Sequence, residues 1–454
     1  MAAHNLLVVS DLHLGEDVGR SIRTTEGLEA ALVAFLDHHQ DHGGPWRLVI
    51  NGDMLEMVGI VMLPDQAPRV PDDLHPHDHR YGLGGREDAA AIKMRAMVEH
   101  HSTVFAGLGR FVGAGHALSI VIGNHDIELC WPAVQRVFTE GVVEGWRHDH
   151  PSESGDAIAK AVTFHPWFLY VPGVAWIEHG HQYDPYCSFE HLLEPVIDEV
   201  EVDPNIGGLL LRYLGSQFGD EVHEVVHRGT FAYLKLWASR GPLHMSKIFV
   251  AYFDMCRRLL EHYRLLGPDQ VTRHQAKVAD RVEDVARAAG LDVGLLYRLS
   301  DLWRPPVANQ LGRLLRALMC DRVALLVAAP TVLMATLLVP AASQTLAALV
   351  LVPPLGLLIA AAAIAREPTD PRRAMRSQAK TVRKLVGVPF VVMGHSHDPV
   401  HLVDDDGAYL NTGTWTPRGD PYKTFTHVTI RHTAEGPRAS LRQWRDGASR
   451  AMSR

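Results

Sequence analysis

The sequence has 454 residues, which is too long for one small hydrophobic core and predicts a large domain with insertions or more than one domain. Hydrophobic residues make up 47% of the chain and charged residues 21%, which excludes the polar, highly charged composition of a disordered chain. The net charge of -8 argues against a nucleic-acid partner, because a protein that binds a phosphate backbone needs a basic groove. Four cysteines without CxxC spacing indicate neither a disulfide framework nor a zinc ribbon and fit a reducing cytoplasm.

The front of the chain alternates predicted strands and helices. Apolar runs at residues 5–10, 47–51 and 118–123 end in polar residues, as buried strands of an α/β sheet do. The first of these runs is too short and too poor in flanking basic residues for a signal peptide. Residues 26–40 and 88–108 carry apolar side chains at helical spacing. The pattern predicts an α/β fold, in which active sites lie at strand ends.

The rest of the chain divides into four further segments. Residues 185–320 show apolar positions three and four apart and are predicted to form a helical insertion. Strand patterns return in VPFVVMGHSH, AYLNTGTW and THVTIR, so the domain that begins in residues 1–184 is expected to continue in residues 385–432. Residues 433–454 are predicted to be a polar, basic tail.

An apolar segment within residues 321–366 predicts a transmembrane helical hairpin. Residues 323–365 contain no charged residue and consist of a 17-residue and a 21-residue apolar run separated by PAASQ. Basic residues flank the segment on both sides, which places both ends in the cytoplasm. We therefore expect the protein at the cytoplasmic membrane, with the sheet domain facing the cytoplasm and in contact with membrane lipid. The alternatives are a shallow re-entrant hairpin, or a buried helical hairpin in a soluble cytoplasmic protein.

Carboxylate, amide and imidazole groups follow the predicted strands, in the segments SDLHLG, NGD, GNHD, EHGHQYD and GHSH. Carboxylate oxygens and neutral imidazole nitrogens together suit divalent manganese, iron, zinc or nickel better than magnesium or calcium. The candidate residues are Asp11, His13, Asp53, Asn124, His125, His179, His181, His395 and His397. Their number and order point to two metal ions.

The ordered series DxH, GD, GNHD, HG and GHxH resembles the signature of the calcineurin-like metallophosphoesterase family. The resemblance covers residues 5–183 and 386–430 and implies a sandwich of two mixed β-sheets flanked by helices. It also implies two divalent ions, manganese first among them, bridged by Asp53. The implied ligands of the first ion are Asp11, His13, Asp53 and His397, and those of the second are Asp53, Asn124, His179 and His395.

The resemblance further implies a hydrolase in which a hydroxide that bridges the two ions attacks a phosphoester or pyrophosphate. His125 matches the catalytic histidine of the family, which protonates the leaving oxygen. Glu56 matches the residue that orients this histidine, while Asp126 is either a competing candidate or a turn residue bonded to its own backbone. His181 and Asp184 are expected to contact the substrate or to support the metal ligands.

Three functional interpretations remain open. The segments SDLHLG, GDxxE and HG(x)xxD resemble UDP-2,3-diacylglucosamine hydrolase, although His125 stands where that enzyme has arginine and this chain is much longer. A lipid-linked or nucleotide phosphoester at the cytoplasmic membrane face is therefore expected. SDLHLG and GNHD also resemble the DNA-repair nucleases of the same family, against which the acidic charge argues. The alternative outside the enzymes is a catalytically silent, membrane-associated scaffold, which the intact set of ligands opposes.

Overall fold

The chain folds into two compact units. The computed structural model describes residues 4–18, 23–60, 62–63, 74–197, 201–202, 205–215, 242–265, 268–307, 311–317, 320–364, 370–417 and 420–452. One unit combines Met1–Arg304 with Pro371–Arg454, and the other is Pro305–Asp370. The smaller unit thus begins earlier than the apolar segment on which the hairpin prediction was based.

The larger unit is an α/β structure with two mixed β-sheets, as predicted. Its strands are β1 (Asn5–Val9), β2 (Trp46–Asn51), β3 (Ala117–Val121), β4 (Val162–His165), β5 (Phe168–Val171), β6 (Ala175–Glu178), β7 (Val196–Ile197), β8 (Glu201–Val202), β9 (Phe390–Met393), β10 (Val400–Asp404), β11 (Gly407–Asn411), β12 (Thr426–Thr433), β13 (Gly436–Arg445) and β14 (Ala448–Ala451). The first sheet has the order β14-β13-β12-β1-β2-β3-β4 and the second β10-β11-β9-β6-β5. Strands β1 to β4 are parallel to one another, and so are β6, β9 and β11.

Strand β1 shows why these segments are apolar along their whole length. Successive side chains of a strand point to opposite faces, so a strand covered on both faces needs apolar residues throughout. Leu6 and Val8 pack with residues of the second sheet, whereas Leu7 and Val9 pack with residues of the covering helices. The two sheets therefore share one apolar layer, and helices cover the outside.

The helices of the larger unit follow the predicted periodicity in the front half. Helix α1 (Glu26–Asp41) buries Leu28, Leu32, Phe35 and Leu36 along one stripe. The helices up to the apolar segment are α2 (Asp78–Tyr81), α3 (Glu87–His100), α4 (Ser102–Gly113), α5 (Pro132–Arg147), α6 (Asp156–Ala161), α7 (Ile206–Leu210), α8 (Pro242–Leu265), α9 (Pro268–Ala289) and α10 (Val293–Ser300). Residues 88–108, which carry helical spacing throughout, form two helices, because His101 interrupts the helix between α3 and α4.

The helical insertion is confirmed for α8, α9 and α10, and one part of it differs. Within LLEPVIDEV, residues Val196–Ile197 pair with Glu201–Val202 as a short antiparallel hairpin. The stretch GTFAYLKLWA, residues 229–238, lies outside the described residues.

The prediction of a polar tail over 433–454 is wrong, because the described residues 433–452 extend the first sheet. Strand β13 pairs along its length with β12, and β14 pairs with β13. The side chains of Leu441 and Trp444 are buried, and the Trp444 ring lies 5.5 Å from the ring of Phe35. Leu441 belongs to the apolar layer between the two sheets and Trp444 to the core beneath the helices, while most other residues of β13 are only half-buried. Polar residues therefore occupy most of the strand and mask it in the sequence.

The smaller unit contains α11 (Leu311–Ala317), α12 (Cys320–Leu338) and α13 (Ala341–Ile364), and α12 packs against α13. The last helix of the chain, α14 (Pro371–Val386), belongs to the larger unit and packs on β9 and β11.

Among the residues that the structure describes, no helix is both long enough and apolar enough to cross a membrane. The predicted transmembrane hairpin is therefore not supported. Apart from one residue each, the two apolar runs lie within α12 and α13, which also contain the polar residues Asp321, Arg322, Ser343 and Gln344.

We predict that Trp444→Ala lowers the free energy of unfolding by about 3 kcal/mol or more, because it removes a large side chain from the buried face of β13. Thermal or denaturant unfolding of the purified chain measures this change. Tyr297→Ala, at a partly exposed position of α10, serves as the matched control and should change stability by no more than about 0.5 kcal/mol. Equal stability of Trp444→Ala and the unmodified chain would show that residues 433–454 behave as a tail after all.

Candidate active site

The predicted site residues lie together at strand ends of the two sheets. Asp11 and His13 follow β1, and Asp53 follows β2. The remaining candidates follow the other strands: Asn124 and His125 after β3, His179 and His181 after β6, His395 and His397 after β9. Because β1, β2 and β3 are parallel, and β6 and β9 are parallel, each sheet presents its candidates at one edge.

Five of the predicted metal ligands hold a backbone conformation that side chains normally avoid. Asp11, His13, Asp53, His395 and His397 have φ of 55°, 49°, 53°, 61° and 53°. Within the described residues, seven non-glycine residues have positive φ, so these five are the majority. Such conformations cost on the order of 1–2 kcal/mol each and persist only where the surroundings impose them, as in functional sites. The strained backbone indicates that this strand edge is a site in which the directions of the side chains matter more than a low-energy backbone conformation.

Two glycines allow the loops to approach the ligands closely. Gly52 has φ 80°, and a Cβ added to it would lie 2.3 Å from Nδ1 of His179. A Cβ on Gly123 would lie 2.2 Å from Oδ1 of Asp53. Both distances are far below van der Waals contact, so a side chain at either position would displace a predicted ligand.

The first predicted set of ligands converges. The ligand atoms of Asp11, His13 and His397 lie within 4.8 Å of one another. Nε2 of His397 is 3.0 Å from Oδ1 of Asp11 and 3.3 Å from Nε2 of His13. Two imidazoles and a carboxylate thus turn their ligand atoms toward one point, which suits a divalent transition-metal ion.

The second predicted set converges as well. The ligand atoms of Asp53, His179 and His395 lie within 4.8 Å of one another, and Nε2 of His179 is 3.1 Å from Oδ2 of Asp53. Asp53 also groups with His13 and His125 within the same limit. Asp53 is therefore within reach of both sets, as a bridging carboxylate has to be.

Unpaired polar atoms provide a test of whether these residues fit metal ions. Within the described part of the chain, the buried Oδ1 of Asn124 has no hydrogen-bond partner. An unpaired buried polar atom costs about 1–3 kcal/mol, and native structures contain few of them. Oδ1 of Asp11 and Nε2 of His179 are also buried, and each faces another predicted ligand, His397 and Asp53 respectively. These groups of residues could hold a metal ion.

Hydrogen bonds at Nδ1 orient two of the predicted histidine ligands. Nδ1 of His179 donates to the carbonyl oxygen of Asn51 over 2.8 Å, which turns Nε2 toward Asp53. Nδ1 of His13 lies 3.2 Å from Oε2 of Glu56. A carboxylate or carbonyl behind a ligating imidazole fixes its tautomer and ring direction.

His125 stands beside the two sets and contacts Glu56. Nδ1 of His125 lies 2.6 Å from Oε2 of Glu56, and its backbone N–H donates to Oδ1 of Asp53 over 2.9 Å. Burial alone would lower the pKa of His125, but the carboxylates of Glu56 and Asp53 outweigh it and raise the pKa to about 10. In the metal-free chain the imidazole is therefore protonated at neutral pH. Glu56 is the carboxylate that reaches His125, as the sequence predicted.

Asp126 has a structural role in these loops. Its oxygens accept hydrogen bonds from the backbone N–H groups of Gly123, over 2.6 Å, and Met54, over 2.8 Å. Burial and the nearby Asp53 carboxylate raise the pKa of Asp126 to about 6. Of the two interpretations of Asp126, these contacts favour the turn residue, which ties the loop after β3 to the loop after β2.

Asp184 and His181 differ in their contacts. Oδ2 of Asp184 lies 3.3 Å from Nε2 of His395, so this carboxylate supports a predicted ligand. His181 is only 1% exposed, and its ring packs edge-on against Phe189. Burial lowers the pKa of His181 well below its usual value, so the ring is neutral. The structure thus brings Asp184 to the site as a support and leaves His181 enclosed.

The sequence interpretation missed a buried ion pair beneath the loop that carries Glu56. Nζ of Lys93 donates to Oε1 of Glu128 over 2.7 Å and to the carbonyl oxygen of Met57 over 2.8 Å. The backbone N–H of Met57 in turn donates to the carbonyl oxygen of His125 over 3.0 Å. Lys93 therefore holds the Glu56 loop against the His125 loop. A lysine among the apolar positions of α3 is the one signal that the sequence offers for this contact.

Comparison of the sequence with protein-family models gives no match, and comparison with curated proteins gives no match either. The residues of the site are therefore the basis for a functional assignment.

We predict that Gly123→Ala weakens manganese binding by about 10- to 100-fold, because the new methyl group would push the Asp53 carboxylate out of place. Calorimetric titration of the purified chain with manganese measures this affinity. Gly27→Ala is the matched control, since a Cβ at Gly27 meets no atom within 4 Å. Manganese affinity equal in the Gly123→Ala chain and the control would contradict the placement of Asp53 at the metal site.

Proposed function

We propose that this chain is a phosphoesterase that works with two divalent metal ions. The observation that carries the proposal is the convergence of two three-residue ligand sets on either side of Asp53, with His125 and Glu56 next to them. Of the seven proposed ligands, five have a strained backbone, and the buried Oδ1 of Asn124 has no hydrogen-bond partner.

The proposed ligands are those that the family resemblance implies. One ion is assigned to Asp11, His13, Asp53 and His397, and the other to Asp53, Asn124, His179 and His395. The mixture of oxygen and imidazole donors suits manganese, and iron, zinc or nickel are the alternatives. When bound, such ions supply an activated water as nucleophile and positive charge next to the phosphate.

The residues around the ligands supply the remaining chemistry. His125 is proposed to give a proton to the leaving oxygen of the ester, because its ring groups with the ligands His13 and Asp53 and its Nδ1 contacts Glu56. Glu56 holds this ring at Nδ1 and keeps the charged form favoured. The hydrogen bond from the His125 backbone to Asp53 fixes the distance between the acid and the ligand sets.

The substrate is proposed to be a lipid-linked or nucleotide phosphoester at the cytoplasmic face of a membrane. Beside the site, a cavity lies between the loops that carry Glu56 and His125 and the start of the helical insertion. Its walls are largely apolar, and Lys93, Glu128 and Arg212 add charge. The walls include Val58, Leu83, Ile127, Phe189, Val202 and Leu209. The cavity measures only about 40 Å³, far below the size of a substrate pocket, so the proposed substrate class rests on the sequence resemblance.

The alternatives fit the observations less well. A nuclease of the same family would need a basic groove, and the net charge of -8 opposes it. A silent scaffold would gain nothing from five strained ligand residues and the unpaired buried Oδ1 of Asn124, all of which reduce stability.

We predict that substitutions of Asp53 and His125 reduce metal binding and hydrolysis to different extents. Asp53→Ala should abolish hydrolysis of a chromogenic phosphodiester and weaken binding of both ions, because the shared carboxylate is gone. His125→Ala should keep both ions and lose about 10²- to 10⁴-fold in rate, the usual share of a general acid. The measurements are initial rates with manganese and the metal content of each variant.

The outcomes separate the proposed roles. Equal loss of metal in both variants would contradict the acid role of His125. No hydrolysis of either a phosphodiester or a phosphomonoester by a chain that binds two ions would favour the scaffold. Comparison of the two esters also narrows the substrate class, because the rate ratio reports which phosphate geometry the site accepts.

A further inference from the structure

The smaller unit carries apolar side chains that its own packing leaves uncovered. Although α12 and α13 pack against each other, Leu338 is 77% exposed and Leu357 is 72% exposed. Further exposed leucines on the pair are Leu333, Leu337, Leu349 and Leu358. Contiguous apolar surface of this kind is rare on soluble monomers and marks a surface that binds a partner or a lipid bilayer.

The distribution of the exposed residues indicates what kind of partner fits. Four consecutive residues of α13, residues 349–352, are all exposed, and consecutive residues of a helix point about 100° apart. The apolar surface therefore extends around most of the helix at this position. A protein partner or a second copy of the chain would cover one stripe of a helix, whereas hydrocarbon surrounds it.

Polar groups near the turn between the helices are satisfied within the hairpin. Nε2 of Gln344 donates to the carbonyl oxygens of Leu337, over 3.3 Å, and Val339, over 3.1 Å. The hydroxyl of Thr336 donates to the carbonyl oxygen of Val332 over 2.8 Å. Internal bonds to carbonyls at a helix end are what hydrocarbon requires, because no water is there to replace them.

Charge brackets the apolar segment in the sequence. No charged residue occurs in residues 323–365, whereas exposed basic side chains stand on both sides, Arg316 before the segment and Arg373, Lys380 and Lys384 after it. Basic residues next to an apolar membrane-binding segment attract the anionic headgroups of a bilayer.

We propose that the α12–α13 hairpin is a lipid-binding surface that enters the hydrocarbon of an anionic bilayer from one side. The exposed leucines bury their side chains among the acyl chains, and Arg316 of the same unit contacts the headgroups. This surface is independent of the phosphoesterase proposal, since it uses none of the site residues.

Flotation of the full-length chain with lipid vesicles tests the proposal. The vesicles consist of phosphatidylcholine alone or of phosphatidylcholine with phosphatidylglycerol. The unmodified chain should float with both, and more strongly with the anionic vesicles. A triple variant, Leu338→Glu, Leu349→Glu and Leu357→Glu, should partition at least about 100-fold less, because each leucine removed from hydrocarbon costs roughly a factor of ten or more.

Matched variants keep the result interpretable. Phe253→Glu introduces the same charge at a 59% exposed position of α8 and should float like the unmodified chain. Leu357→Glu alone should lower partitioning about tenfold and serves if the triple variant does not fold. Hydrolysis of a soluble ester should be equal in the unmodified and triple-variant chains, which separates this surface from the proposed active site.

Three results would overturn the proposal. The first is no flotation of the unmodified chain with either vesicle. The second is equal flotation of the triple variant, which would place lipid binding elsewhere. The third is a dimer of the unmodified chain without flotation, together with a monomeric triple variant, which would make the hairpin an interface between two copies.

Discussion

The ionised carboxylate of Asp53 in the protein interior is the constraint on which the site depends. Asp53 is 1% exposed, and burial alone would raise its pKa, yet the imidazoles of His179 and His125 hold that pKa well below its usual value. A buried charge persists only where opposite charge and hydrogen bonds surround it. Strand ends from both sheets therefore have to meet at Asp53, and the two-sheet architecture brings them there.

The local sequence around Asp53 follows from this crowding. Gly52 and Gly123 leave the space that His179 and Asp53 occupy, and left-handed turns at the ligands aim successive side chains at the same point. Glu56 then serves two histidines at once, since its Oε2 lies near both His13 and His125. The same carboxylate would orient a metal ligand and hold the proposed acid protonated, so the two functions are coupled by one side chain.

Much of the fold could be predicted from the sequence, and the misses have physical causes. Buried strands such as β1 can be recognised because both faces must be apolar, whereas β13 was taken for a tail because only Leu441 and Trp444 of its ten residues are fully buried. The candidate ligands could be found because their types and order follow the strands. Lys93 and Glu128 could not, since their pairing depends on tertiary contacts between α3 and the loop after β3. The transmembrane prediction rested on the length of two apolar runs and their flanking charges, and among the described residues no helix is long and apolar enough to cross a membrane.

The most direct test of the central claim is anomalous X-ray diffraction from crystals of the full-length chain grown with manganese. We expect two manganese ions about 3.5–4 Å apart, each bound by the Asp53 carboxylate. One set should include His13 and His397, and the other His179 and His395. A single ion, or ions bound away from Asp53, would contradict the dinuclear centre.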